Sequence, residues 1–330
     1  MHTPGAAHVA YFALGGTISM TDSPEGGVVA RLTGADLVAG LGPLPVEVQI
    51  HDPVAVPSAS LTFADVLDVA ASAETAVQHG AIGIVLTQGT DSLEETAFLI
   101  DSVWRSDVPF VVTGAMRNPT LPGADGPANL SAALQVASAP AARGRGVLVV
   151  FADDIHAARH VRKTHSTSPG TFASPDAGPI GHVVEGVPRF LADLPRRRTI
   201  TGWTRERLAE TRIALYTTTL DDDGLLLAGP GHSHQGLVLA GFGVGHVPAD
   251  LVAAITEIVQ VMPVVLTSRT GAGPVLADTY AAPGGERDLL ARGVLSGGFV
   301  HPYKARVLLR LLVASGATRD EIADAFTELG

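Results

Sequence analysis

Two threonines, each set just behind a glycine that closes an apolar run, are the residues of this chain best placed to do chemistry. Thr17 follows Gly15 and Gly16 in "YFALGGTISM", and Thr90 follows Gly89 in "LTQGTDSLEE". A strand that stops at such a glycine leaves the next hydroxyl at its carboxyl end, where open α/β sheets put their ligands. Glycine turns also allow close backbone approach, and their free amides can hold an oxyanion. A threonine hydroxyl is a poor nucleophile at neutral pH, so either one needs a base or a water relay. Lys163, in "HVRKTHS", is a candidate proton carrier, since a lysine buried near a carboxylate can exchange a proton with an alcohol. Each residue also has a plainer role open to it. Thr17 suits an ordinary turn, Thr90 and Asp91 suit the start of a helix, and most lysines are solvated charges.

The surrounding elements read as a βαβ succession. "HVAYFAL", "VEVQI", "IGIVLT", "PFVVTGA" and "GVLVVFA" have the composition of buried strands. Between them "TGADLVAGL", "TFADVLDVAASAETAVQ", "SLEETAFLIDSVW" and "GPANLSAALQVAS" carry apolar residues at helical spacing. Three of these open on Thr or Ser with an acidic residue three positions on, the spacing of a capping box, as at Ser92 and Glu95. The fold class is therefore α/β: a larger N-terminal parallel-sheet domain with an edge hairpin, plus a smaller C-terminal α/β domain. The edge hairpin is expected after Ala152, where turn formers become dense and where Lys163 falls. The domain limits read as residues 1–190, a polar linker over 191–212, and 213–330. In the second domain "LVLAGFG" and "VVLTS" read as strands, and "ADLVAAITEIVQ", "RVLLRLLVAS" and "RDEIADAFTEL" as helices.

Composition narrows the class further. Of the 330 residues, 46% are hydrophobic and 17% charged, as in a soluble, well-packed protein. The net charge of -11 argues against a general affinity for nucleic acid or anionic membrane, and leaves a zwitterionic small molecule open. There is no cysteine, so disulfides, thiolate metal sites and a cysteine nucleophile are excluded. The apolar runs fall short of the roughly 20 residues a membrane-spanning helix needs, and the first residues enter a strand without a secretory pattern. A cytoplasmic protein is expected.

"GGT" near residue 15, "QGTDSLEETAFLID" near 90, "TGAMRNP" and "ADGPANL" after the next strand, and Lys163 resemble the bacterial-type L-asparaginase family. The likeness runs from Ala10 to about Phe172 and resumes at "AGFGVGHVP" and "LTSRTGAGPV". It implies hydrolysis of the side-chain amide of asparagine, often also of glutamine, to the acid and ammonia, with no metal or cofactor. Thr17 would attack the carboxamide carbon, giving an acyl-enzyme. Thr90, with Lys163 behind it and Asp91 beside it, would handle the proton and the hydrolytic water. The Thr90 backbone amide and a turn amide near Ala115 would hold the oxyanion. Asp91 would grip the substrate α-amino group, and Ser58, with Gly89 and Asp91 near, the α-carboxylate. By itself Ser58, in "VPSASLTF", is an ordinary turn serine.

Three departures from the family pattern stand out. The loop "TDSPEGGVVARLTG" holds no tyrosine, where many relatives place one against the nucleophile. Either another residue supplies that contact or the loop acts only as a lid. In "GFGVGHVP" this chain has His246 where relatives often have asparagine, and the position is either a loop histidine or a pH-dependent contact to a neighbouring subunit's substrate. The acidic residue that relatives lend to the partner's site is Glu286, with Asp278 as the alternative. Both arrangements need an oligomer, and the family pattern is a homotetramer, a dimer of dimers.

Other features carry less. "HSH", His232 to His234, would suit a metal only if extended and with a third ligand. Arg196 to Arg198 reads as a solvated run, and Asp221 to Asp223 as a turn. Two rival functions remain beside asparaginase: a catalytically silent aspartate or asparagine sensor, and an amidase acting on a different, larger amide.

Overall fold

Apolar runs without polar alternation are stable as strands only when both faces are covered. Val9, Ala10, Tyr11 and Phe12 are all buried, so both faces of their strand are. The computed structural model describes residues 7–44, 46–53, 56–195 and 198–329. The chain divides into two units, Met1–Thr199 and Ile200–Gly330.

The first unit opens with β1 (His8–Ala13), a short hairpin of β2 (Met20–Asp22) and β3 (Val28–Ala30), α1 (Gly34–Ala39) and β4 (Glu47–His51). There follow α2 (Phe63–Gln78), β5 (Ala81–Thr87), α3 (Leu93–Val103), β6 (Phe110–Thr113), α4 (Gly126–Ser138) and β7 (Val147–Phe151). Its last part is β8 (Asp154–Ala157), β9 (Arg162–Lys163), β10 (Phe172–Ala173), β11 (Gly181–Val184) and β12 (Val187–Phe190). Eight of these strands form one sheet in the order β12-β11-β8-β7-β6-β5-β1-β4. From β4 to β7 it is parallel. From β7 to β12 the pairs are antiparallel, which is the hairpin edge. Ala133, Val136 and Ala137 of α4 pack on Val9, Tyr11, Val85 and Val111 in one core. Each fully buried valine or leucine in it contributes about 1.5–3 kcal/mol.

Helix starts follow the sequence at two places and depart from it at a third. Thr33 with Asp36, and Thr62 with Asp65, form reciprocal capping boxes at α1 and α2. At α3 the expected box of Ser92 and Glu95 does not form, because Ser92 makes no side-chain cap bond. Its Oγ donates instead to the Ser58 carbonyl at 2.7 Å, a partner supplied by a distant turn.

The second unit comprises α5 (Arg205–Glu210), β13 (Ile213–Thr217), α6 (Pro230–Ser233), β14 (Gly236–Gly241), α7 (Val252–Val261) and β15 (Val264–Ser268). It ends with α8 (Glu286–Ala291), β16 (Leu295–Ser296), α9 (Pro302–Ser315) and α10 (Arg319–Thr327). Strands β13, β14, β15 and β16 form a parallel sheet in that order. Within the stretch 191–212 the units part at Thr199, and residues 205–210 are helical. A Thr204 cap on the Arg207 N–H starts that helix, and Leu208 is its one buried residue, too little for a periodic signal. Residues 230–233 form a helical turn and not the extended pair that "HSH" would need. The His232 side chain and residues Arg196 and Arg197 lie outside the described residues. No helix among the described residues is long and apolar enough to cross a membrane.

Candidate active site

Strand register brings the two threonine turns together. In the β1–β5 pair Ala13 lies opposite Thr87, so both chains leave the sheet at one level. Leu14 N–H donates to the Thr87 carbonyl at 2.9 Å, and the Tyr11 hydroxyl meets Thr87 Oγ1 at 2.8 Å. Burial pushes the Tyr11 phenol up, against the lowering effect of the Thr87 bond, so it stays neutral. Gly16 then turns at φ +91°, and a Cβ built there would lie 2.3 Å from Gly89 N. Only glycine fits that conformation and that approach. Thr17 opens a single 3₁₀ turn and is half-buried.

The second turn packs on a third. A Cβ on Gly89 would lie 2.5 Å from Ser58 Oγ, and Ser58 is buried. Ser58 Oγ accepts the Asp91 N–H at 3.3 Å, while the Ser58 carbonyl accepts from Ser92. Ser58, Gly89 and Asp91 are thus one cluster, anchored by a serine that the sequence leaves in an ordinary turn.

Lys163 reaches this cluster from β9. Its Nζ donates to Thr90 Oγ1 at 3.0 Å and to Asp91 Oδ1 at 2.9 Å. The Lys163 side chain is 17% exposed and that of Asp91 67%, so the ammonium is largely enclosed while its carboxylate partner faces solvent. An ammonium has no lone pair, so Thr90 Oγ1 accepts and keeps its own proton to donate elsewhere. The Lys163 N–H donates to Glu94 Oε2 at 3.0 Å, and Glu94 is buried in the first turn of α3. Sequence reading missed Glu94, because an acidic residue one place before a presumed capping glutamate carries no signal of burial. Glu94→Ala is expected to lower stability by roughly 1–3 kcal/mol, leaving a buried N–H unpaired, and to reduce turnover through misplacement of Lys163. Urea midpoints and rates measured on the same preparation check this; an unchanged pair would mean that Glu94 does not position the lysine.

Gly114, just before Ala115, packs on the same cluster. A Cβ on Gly114 would lie 3.5 Å from Thr90 Cγ2. Asp125 holds the next turn by accepting the Met116 N–H at 3.1 and 3.0 Å and the Arg117 N–H at 2.8 Å. The backbone N–H groups of Thr90 and Ala115 donate to no group among the described residues. Unpaired backbone amides are ready anion donors. A separate cavity of about 440 Å³ between β1, β4 and α2 is lined by Phe12, His51, Asp52, Leu61 and Val69, and by none of the sequence-predicted site residues.

His246 and Glu286 lie in the second unit and meet each other. A tight turn pairs Phe242 with His246, and His246 Nε2 stands 3.3 Å from Glu286 Oε2. Tyr280 packs edge-on against the imidazole at 4.7 Å. Glu286 is fully buried, and its Oε1 accepts the Thr279 and Tyr280 N–H groups at 3.0 and 2.8 Å. Asp278 is exposed. Desolvation alone would raise the Glu286 carboxyl. The Tyr280, Glu286 and Thr279 amides and the His246 charge together outweigh it and hold the carboxyl below its ordinary value of 4.5. Glu286 therefore contributes stability that is fully present above that ordinary value and is lost as pH falls through the lowered folded one. Glu286→Gln is expected to lose this part of the acid limb; denaturant midpoints from about pH 3 to 7 check it, and parallel curves would refute it.

A parallel sheet that brings the Thr17 and Thr90 turns together at its carboxyl edge, with an ammonium and a carboxylate bonded beside Thr90, fits an amidohydrolase-type site. Residues 8–196 match the family model described as Asparaginase, N-terminal, and residues 212–326 that described as Glutaminase/Asparaginase C-terminal domain. A probable L-asparaginase of Deinococcus radiodurans is 36% identical, the match covering 95% of each chain. A glutaminase-asparaginase of Pseudomonas fluorescens is 31% identical over 98% of this chain and 90% of its own. The crystal structure of a probable cytoplasmic L-asparaginase from Campylobacter jejuni superposes with a TM-score of 0.86 at 27% identity, covering 97% of this chain and 99% of that one. The chain belongs to the asparaginase family.

Proposed function

We propose that the protein hydrolyses the side-chain amide of L-asparagine to L-aspartate and ammonia through an acyl-enzyme on Thr17. The observation that carries this reading is the Lys163 ammonium bonded at once to Thr90 Oγ1 and Asp91 Oδ1, beside the Gly16–Gly89 contact that brings in Thr17. Thr17 Oγ adds to the carboxamide carbon, and the oxygen that gains charge is taken by the Thr90 and Ala115 amides. The C–N bond breaks, the nitrogen takes up the Thr17 proton by way of Thr90, and ammonia leaves. Water polarised by Thr90 and Lys163 then adds to the ester carbon. The ester C–O bond breaks, aspartate departs and Thr17 recovers its proton.

Substrate ends fall to the remaining residues. Ser58 and the amides around Gly89 take the α-carboxylate, and Asp91, mostly solvent-facing, takes the α-amino group. The Pseudomonas relative's description as a glutaminase-asparaginase fits a pocket in which one methylene discriminates by only about 1–3 kcal/mol. In a homotetramer, His246 of a neighbouring subunit, backed by its own buried Glu286, completes the site at the amino end. A cytoplasmic location belongs to the same reading, supported by the Campylobacter neighbour's description.

Ammonia release from purified protein, across asparagine, glutamine and their D-forms, tests the activity. Release from asparagine supports the proposal, whereas tight aspartate binding without ammonia from any amide would favour a silent sensor. Sedimentation of the same sample tests the tetramer, and a monomer at assay concentration would remove the shared-site part.

A further inference from the structure

Two primary carboxamide side chains stand behind the two open amides, and nothing in the reaction as described uses either. Gln88 is fully buried, and its Nε2 donates to the Gly89 carbonyl at 3.2 Å. Gln88 Oε1 has no hydrogen-bond partner among the described residues. Asn129, also buried, donates through Nδ2 to the Gly114 carbonyl at 3.0 Å and to Asp125 Oδ2 at 3.2 Å. Asn129 Oδ1 accepts the Ala152 N–H at 3.0 Å, which ties the side chain to the end of β7. The two bonds share one geometry. Gly89 C=O belongs to the peptide unit whose N–H is that of Thr90, and Gly114 C=O to the unit whose N–H is that of Ala115.

A trans peptide is planar, so its carbonyl and its N–H point in opposite directions. The described residues include no cis peptide bond. Fixing the carbonyl therefore fixes the direction of the N–H behind it. A hydrogen bond accepted at the carbonyl also polarises the amide and makes its N–H a stronger donor, most of all in a low-dielectric interior. Both turns need such a device, since their residues lie outside any ladder that would hold the peptide plane.

We infer that Gln88 and Asn129 are paired positioning residues that aim and polarise the two oxyanion donors, Thr90 N–H and Ala115 N–H. The inference rests on the proposed hydrolysis and deepens it: neither side chain touches substrate, and each acts through one peptide unit.

The test uses full-length Gln88→Glu, Gln88→Met and Asn129→Asp. The ionised carboxylate of the Gln88→Glu variant cannot donate, nor can the thioether of Gln88→Met. Asn129→Asp keeps an Oδ1 acceptor for the Ala152 N–H while losing the Nδ2 donor. Each folded variant should lose about 10- to 100-fold in kcat with KM changed less than about threefold, since an oxyanion donor acts in the transition state and outright removal of one costs about 10²–10³-fold. In Gln88→Glu part of the rate should return as pH falls and the carboxyl regains a donor proton, whereas Gln88→Met should show no such recovery. A purely structural role would not produce that difference.

Folded variants with kcat near wild type would overturn the inference while leaving the hydrolysis standing. A wild-type protein that releases no ammonia would overturn both. Crystals of the wild-type acyl-enzyme or of a tetrahedral adduct supply a readout independent of variant folding. The substrate-derived oxygen should sit about 2.7–3.1 Å from both Thr90 N and Ala115 N, with the Gln88 and Asn129 bonds intact. An oxygen held elsewhere, or either carbonyl turned away from its carboxamide, would refute it.

Discussion

Thr17→Ala is expected to lower kcat on asparagine by roughly 10³-fold or more, because it removes the atom that forms the covalent bond. That loss corresponds to at least ~4 kcal/mol of barrier. The stability effect should be far smaller. Thr17 is half-buried, and its side chain makes no hydrogen bond among the described residues. Its replacement by alanine should cost under about 1 kcal/mol of folding free energy. The two magnitudes separate a chemical defect from an unfolded sample. Thr17→Ser keeps the hydroxyl and should retain turnover to within about tenfold. Ammonia release and thermal unfolding on the same preparations decide. If the alanine variant keeps more than a tenth of wild-type activity, the nucleophile lies elsewhere.

Lys163→Met should cost about 10²–10⁴-fold in turnover, the range for loss of a positioned proton carrier. Methionine preserves most of the aliphatic stem, so packing between β9 and the Thr90 turn survives while both charge-assisted bonds go. Lys163→Arg should also fail in large part. A planar guanidinium cannot reproduce an ammonium that serves one hydroxyl and one carboxylate at about 3 Å. The defect should lie in kcat more than in KM, since the ammonium bonds Thr90 and Asp91 and is not assigned to the substrate. Single-turnover assays that follow ammonia and aspartate separately read which half-reaction slows. With Thr90 and Lys163 handling the water, ammonia should appear first and aspartate lag behind it. Equal slowing of both products would move the lysine to the first step, and an active methionine variant would take it out of the mechanism.

Much of the fold was legible. The uninterrupted β-branched runs from His8 to Phe151 became parallel strands because their pattern fits only a sheet covered on both faces. The Thr33 and Thr62 capping boxes formed because their partners sit three residues away, within reach of any chain that turns helical. Less legible were α5, too short to show periodicity, and the start of α3, where Ser92 turned to a carbonyl from another element. Of the site, Thr17 and Thr90 were marked by residue type and by their glycines, and Lys163 by its place in a predicted hairpin. Gln88, Glu94 and Asn129 were not, since a buried amide or carboxylate is recognised by what it bonds.

Residue order alone set which groups exist and at which strand ends they emerge: two hydroxyls behind glycines, a lysine in a short two-stranded hairpin, no thiol anywhere. Those are local matters, governed by backbone preference and by the period of apolar residues. What each group faces came from the folded chain. Lys163 between Thr90 and Asp91, Ser58 beneath Gly89, Glu94 beneath the lysine and His246 against Glu286 all pair residues far apart in the chain. Strand register and helix packing fix such pairs, because hydrogen bonds and ion pairs fall off over a few ångströms while chain order places no limit on which segments come that close.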